Sequence, residues 1–168
     1  MVDLFADIIP GNSAAGFALG QRFSEEDFGP ITRWNVGKGT LMEVTASTEG
    51  WLRVDVAQIS FEATGGHILH YHRGAVDLHY SSAGILYSIT VCSGYLGKYA
   101  EEIGVGDRVD SVLRHAQLWY DSGDELLYPA IESGVQGIAF LGTSRPLDED
   151  QDQLIFGIVV YDWDLMRP

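Results

Sequence analysis

Trp51-Leu52-Arg53-Val54-Asp55-Val56 alternates apolar and charged residues from Leu52 onward. An extended chain has a period of two. Leu52, Val54 and Val56 therefore fall on a core-facing side, with Arg53 and Asp55 toward water. Ile59-Ser60-Phe61 continues the same period. Moving outward, Gly65-Gly66 reads as a hairpin-type turn and His67 to His72 as the next strand. Val76 to Tyr80 and Ile85 to Val91 come next, parted by Ser81-Ser82-Ala83-Gly84. The chain holds 20 glycines, which for much of its length recur at turn-like intervals. That punctuation predicts short antiparallel strands joined by turns.

Helical signals are confined to two places. Ser24 precedes Glu25-Glu26-Asp27, a hydroxyl placed to cap a first turn and acids near the positive end of the helix dipole. Gly29-Pro30 keeps this helix short. Asp110 precedes Ser111 to Leu118, and Val109, Val112, Leu113 and Ala116 fall at i, i+3, i+4 and i+7, one apolar face. The two starts match each other. Leu19-Gly20-Gln21-Arg22-Phe23-Ser24 and Val105-Gly106-Asp107-Arg108-Val109-Asp110 both read apolar, Gly, polar, Arg, apolar, cap. Leu86-Tyr87-Ser88-Ile89-Thr90-Val91 and Ile155-Phe156-Gly157-Ile158-Val159-Val160 match in the same order. The expectation is an α+β protein with a predominantly antiparallel sheet and two short-helix-plus-sheet repeats. The units are 1–93, which carries a longer strand insertion, and 94–168. Each is too small for a full core, so they pack as one globular domain.

Composition sets further bounds. The 168 residues are 46% hydrophobic and 20% charged, which excludes global disorder. Ten Lys and Arg against 24 Asp and Glu give a net charge of −14. That charge argues against nucleic-acid binding and against docking on anionic membranes. A single cysteine, Cys92, excludes an internal disulfide framework and a cysteine-based zinc site. The opening Met1-Val2-Asp3-Leu4-Phe5-Ala6-Asp7 has neither the basic residues nor the apolar run of a secretory signal. With no 18-residue apolar stretch, a cytoplasmic protein is expected.

Gly104 to Leu113, Leu118-Trp119-Tyr120-Asp121, Glu125-Leu126-Leu127-Tyr128 and Gly137-Ile138-Ala139-Phe140 form a recurring bacterial pattern. With Ile8 to Gly20, it resembles small proteins found beside polymorphic or secretion-delivered toxins. The repeated unit is also similar to the superfamily of the β-lactamase-inhibitory protein and the outer-membrane assembly lipoproteins. The sequence carries no signal-peptide pattern, no cysteine near its start and no cysteine pair in each repeat, so a departure from that superfamily's secreted and lipidated members is expected. What the resemblance implies is a cytoplasmic immunity-type protein that neutralises a toxin, with no cofactor.

Residues that could carry chemistry are few. His70 and His72 share a face if both lie on one strand, and His79 could join them from the next. That set is a metal-site candidate, though with no cysteine and with Asp77 the one plausible carboxylate the expectation is no metal. The acids at 25–27, at Asp121, Asp124 and Glu125, and at 148–152 read as a helix start, a hairpin turn and a solvated loop. Nucleophile, phosphate-loop and dinucleotide motifs are absent, so the chain is not expected to be an enzyme. Aromatic residues beside acids make protein-binding anchors. The candidate surface is Trp119, Tyr120, Asp121, Asp124 and Glu125, and since Trp119 and Tyr120 point to opposite faces of a strand, one of the two is exposed. The expected partner is a basic protein such as a toxin domain. Alternatives are a structural or self-assembling module, a homodimer included, and a metal-binding protein or enzyme centred on the histidine strand.

Overall fold

The computed structural model describes residues 1–37, 39–59 and 65–166. Ser60 and Phe61, expected to extend a strand, lie outside the described residues. The fold is α+β. A two-residue-per-strand hairpin, β1 (Ser13–Ala14) and β2 (Phe17–Ala18), precedes a nine-stranded sheet. The sheet comprises β3 (Ile31–Arg33), β4 (Trp51–Asp55), β5 (His67–Tyr71), β6 (Val76–Tyr80), β7 (Leu86–Cys92), β8 (Leu118–Asp121), β9 (Leu126–Pro129), β10 (Ile138–Leu141) and β11 (Gly157–Tyr161). Its spatial order is 3-4-5-6-7-11-10-9-8, antiparallel throughout except for the parallel pair β3–β4.

Register explains what each side buries. One cross-strand row runs Trp51, Tyr71, Val76, Val91, Ile158, Phe140, Leu127, Tyr120 across eight strands. Val76, Val91, Ile158 and Phe140 in it are wholly buried. This is the closed face. The segments around Ile8, Ala14–Phe17, Tyr95–Ile103 and Val109–Val112 pack over it and complete the main core. The opposite face is open over much of its width. There the row runs Leu52, His70, Asp77, Thr90, Val159, Ala139, apolar at both ends and polar in the middle.

The β4 strand, read as one-sided, is covered on both sides. Leu52 and Val54 are fully buried, but in a small cluster with Trp34, Leu41 and Val44. Trp51 belongs to the main core, and the Arg53 guanidinium lies 5.3 Å from the Phe23 ring centre. Val56 opens a 3₁₀ helix, Val56–Gln58, instead of continuing the strand.

Helices differ from expectation more than strands. The α-helix is Leu41–Ser47 (α1), a segment where the sequence pattern predicts none. Thr40 and Glu43 form a reciprocal capping box at its start. Parallel β3 and β4 need a crossover, and α1 lies within it, above Leu52 and Val54. Ser24 makes no side-chain cap, and it leads only into the three-residue 3₁₀ helix Glu25–Asp27. The second expected helix is the six-residue 3₁₀ helix Val109–Arg114. At three residues per turn, Val109 and Val112 eclipse and bury while Leu113 turns outward, 38% exposed.

Two loops grip the central strands by the same three backbone bonds. Gly20 N–H donates to Leu86 O, Leu86 N–H to Gln21 O and Phe23 N–H to Gly84 O, at 2.8, 2.9 and 2.8 Å. Gly106 N–H donates to Ile155 O, Ile155 N–H to Asp107 O and Val109 N–H to Gln153 O, at 2.8, 2.8 and 2.9 Å.

Gly137 and Gly134 separate two causes of glycine preference. Both have positive φ, +75° and +70°. A Cβ on Gly134 would meet nothing within 4 Å, whereas one on Gly137 would sit 2.4 Å from Gly11 Cα and 2.9 Å from Tyr161 O. Gly134→Ala should cost about 1–2 kcal/mol, the left-handed backbone term alone. Gly137→Ala should cost at least about twice that, because backbone atoms must move. Urea unfolding of the two variants checks the ranking, and equal costs would refute the packing argument.

Candidate functional site

The far end of the open face carries the two accessible indole rings of the described residues, Trp119 and Trp163. Trp119 on β8 lies opposite Tyr128 on β9, and the rings stack at 5.2 Å and 24°. Tyr161, on β11, stacks with Trp163 at 4.6 Å and 20°. Tyr128 and Tyr161 meet edge-to-face at 5.9 Å, joining the two stacks. Tyr87 and His79 extend the line back across β7 and β6, at 6.0 Å from Trp163 to Tyr87 and 6.2 Å from Tyr87 to His79. Alternation puts Trp119 and Tyr161 here, since odd positions 119, 159 and 161 point away from the closed face, which takes 118, 120, 158 and 160, while Tyr87 sits at the register shift between His79 and Tyr80.

The two stacks border a cleft of about 600 Å³. Gly11, Gly137, Ile131 and Val135 complete much of its wall, and Asp162 and Asp164 stand at its rim. Trp119 is 47% and Trp163 40% exposed, while Trp34 and Trp51 are buried. The phenols are held. Tyr128 donates to the Asp124 carboxylate, and burial and that neighbouring charge raise its pKa. Burial first, then Asp124, also raises Tyr161.

The sequence-derived surface is divided by the sheet. Trp119 is on the open face. Tyr120 is on the closed side, half-buried against the main core, and its hydroxyl donates to Ser144 O at 3.0 Å. Asp121 closes β8 rather than lying in the turn, Asp124 lies in the hairpin loop, and they accept from Gly123 N–H at 2.8 Å and Leu126 N–H at 3.1 Å. Both therefore hold the turn. Glu125 is exposed at φ +63°. Sequence reasoning does not group Tyr161 and Trp163 with Trp119, since some forty residues separate them. The one available signal is an aromatic at an outward position of a terminal strand.

The histidine set is also divided. His72 is not on β5 with His70: its φ of +46° places it in the β5–β6 turn, exposed. The strand ends at Tyr71 because Tyr71 already pairs with Val76, leaving 72–75 as the connection. His70 Nδ1 contacts Asp77 Oδ1 at 2.7 Å, and His79 lies diagonally from it on the same face. Among the described residues no group of three or more His, Cys, Asp or Glu is placed to hold a metal ion. The Cys92 thiol is half-buried, and burial pushes it up to about 12.

Two histidines make folding proton-linked. His67 is buried in parallel contact with Tyr80 at 4.9 Å and edge-on to Phe23 at 4.5 Å. Burial, then the Arg53 charge, lowers it to about 4, against opposition from Asp55. Burial lowers His79 to about 4 as well, with Asp77 opposing and His70 assisting. Unfolded histidine takes a proton near 6.5, so between there and about 4 the unfolded chain binds more protons. Stability should fall as pH drops through that window. His67→Gln with His79→Gln should flatten the fall, read as unfolding midpoints at pH 7, 5.5 and 4.5; an unchanged slope would refute this assignment.

No family model matches the chain, and no curated protein matches it. The crystal structure of the uncharacterized protein yfeY from Escherichia coli is similar, with a TM-score of 0.50 and 9% sequence identity over 79% of this chain and 100% of that one. At that identity the likeness concerns the fold alone. Among the described residues no helix is long and apolar enough to cross a membrane.

Proposed function

We propose that this chain is a non-catalytic binding protein that engages a basic protein partner through the aromatic end of its open face. The observation that carries the reading is the pair of accessible indoles set in a cleft with carboxylates at its rim. Buried aromatic anchors supply most binding energy at interfaces, and charge around them governs encounter. The net charge of −14 is uneven, −5 up to Cys92 and −9 from Ser93 onward, and the cleft is built mainly by the more acidic part. A toxin domain neutralised by an immunity-type protein in the cytoplasm is a partner of this chemistry.

The same reading holds the chain to be a tandem duplication of a short-helix-plus-sheet unit, 1–93 and 94–168. Two features support it. The three bonds made by the Gly20 loop recur at the Gly106 loop, at the positions the sequence alignment pairs. Strands 4-5-6-7 are mirrored by 8-9-10-11, which makes the matching strands β7 and β11 antiparallel neighbours at the centre. A homodimer formed along β8, an edge strand carrying an exposed Trp119, is the competing use of this surface.

Charge reversal tests the reading if it spares residues that hold the turn. Glu125 and Glu132 are exposed and flank the hairpin. A partner captured from the native host should associate with Glu125→Lys/Glu132→Lys on the order of 10-fold more slowly at low salt, with a shallower salt dependence. Association indifferent to both salt and the reversals would overturn it. A dimer in sedimentation that Trp119→Lys dissolves would instead favour self-pairing.

A further inference from the structure

The cleft between the stacked pairs has a chemistry narrower than protein binding in general. Four of its lining side chains are aromatic, Trp119, Tyr128, Tyr161 and Trp163, the Asp162 carboxylate stands beside them, and no lysine or arginine lines it among the described residues. Aromatic faces are negative and attract cations, and carboxylates add to that field. We infer that the cleft receives an arginine side chain of the partner, its guanidinium lying against the exposed indoles of Trp119 and Trp163 and within reach of the Asp162 carboxylate. This rests on the protein-binding reading for the source of the side chain.

Three observations favour arginine over other occupants. A planar guanidinium stacks its face on an indole while its edge donates to a carboxylate; a lysine ammonium is a compact, strongly hydrated point charge with no face to stack. The protein already builds this arrangement internally, where Arg53 lies 5.3 Å from the Phe23 ring centre and bonds Asp55 at 2.9 Å. A neutral sugar would also lie on an indole face but would gain nothing from the excess of negative charge. The two stacks are preformed, since Tyr128 is tied to Asp124 and Tyr161 is paired in the sheet with Ser88. Little ordering is then required on binding.

The test uses the full chain and three capped tripeptides, acetyl-Gly-X-Gly-amide, in which X is arginine, lysine or citrulline. Citrulline has nearly the shape of arginine without its charge. The readout is protection of tryptophan emission from acrylamide, since the two accessible indoles are those of the cleft and Trp34 and Trp51 supply a constant background. The arginine peptide should protect at millimolar concentration, with the lysine peptide several-fold weaker and the citrulline peptide at least about 10-fold weaker. By calorimetry Trp163→Leu should lose about 10-fold in arginine-peptide affinity, whereas Tyr120→Phe, on the opposite face, should lose none. Should Trp163→Leu fail to fold, the three-peptide ranking on the parent chain still decides.

Equal binding of citrulline and arginine would overturn the inference, as would lysine binding as tightly as arginine. Protection by a neutral oligosaccharide but not by the arginine peptide would overturn it, as would no protection by any peptide. The two readings fail separately. Loss of the peptide ranking while Glu125→Lys/Glu132→Lys still slows partner capture removes the arginine site and leaves the binding function. An intact ranking with a partner indifferent to charge removes the proposed function and leaves a guanidinium site.

Discussion

The antiparallel pairing of β7 with β11 joins the middle of the chain to its end, from Ser88 opposite Tyr161 to Cys92 opposite Gly157. All other strands of the sheet are added outward from this pair, four on the β7 side and three on the β11 side. Its closed side carries Ile89, Val91, Ile158 and Val160, none of them accessible, so the centre of the sheet is also the centre of the core. Such pairing is distant in sequence, and its loop-closure cost is offset only when the whole apolar row assembles. The Gly20 and Gly106 loops then fasten to the adjoining Leu86 and Ile155, which ties the covering layer to the same two strands.

One closed face is enough to fold the chain, and that frees the other. The open face carries apolar residues where something covers or borders them. Leu52 and Val54 lie under α1, and Val159 and Ala139 lie beside Tyr128. Between these ends lie the polar side chains His70, Asp77, His79, Ser88 and Thr90 beside the apolar Ile68, with a partly buried His70–Asp77 contact. The polar middle divides two apolar patches, and at the second the indoles of Trp119 and Trp163 remain exposed.

Much of this is readable from sequence because period two is local. Alternation and turn residues place strands at 51–56, 67–72, 76–80 and 85–91, where the structure has 51–55, 67–71, 76–80 and 86–92. Helices are harder to read for definite reasons. Thr40-x-x-Glu43 is a capping box, but it precedes only two core-facing residues, Leu41 and Val44, too few for a period to register. At Val109–Arg114 a four-residue spacing suggests an α-helix, whereas the Val109–Val112 spacing of three is the one that matters. His72 looks like a strand residue because no glycine marks the turn until Gly74; His72 and Arg73 take the left-handed conformation themselves. The hairpin acids are legible as a turn. The company of Trp119 is not, since Tyr161 and Trp163 reach it only through the order 11-10-9-8.

An exposed pair of indoles on a sheet next to an unpaired edge strand is ordinarily a hazard, because the same surface that attracts a partner attracts another copy. The charge distribution bears on that conflict. Identical copies approaching through this end bring together Asp162 and the hairpin acids of both, in the part of the chain that carries −9. Like charges at close range oppose association before the aromatic contact can form. On the proposed reading, a basic partner meets the opposite field and reaches the same rings. Acidity and aromatic exposure are then coupled requirements: the rings would give the surface its affinity, and the carboxylates would restrict which molecules approach closely enough to use it.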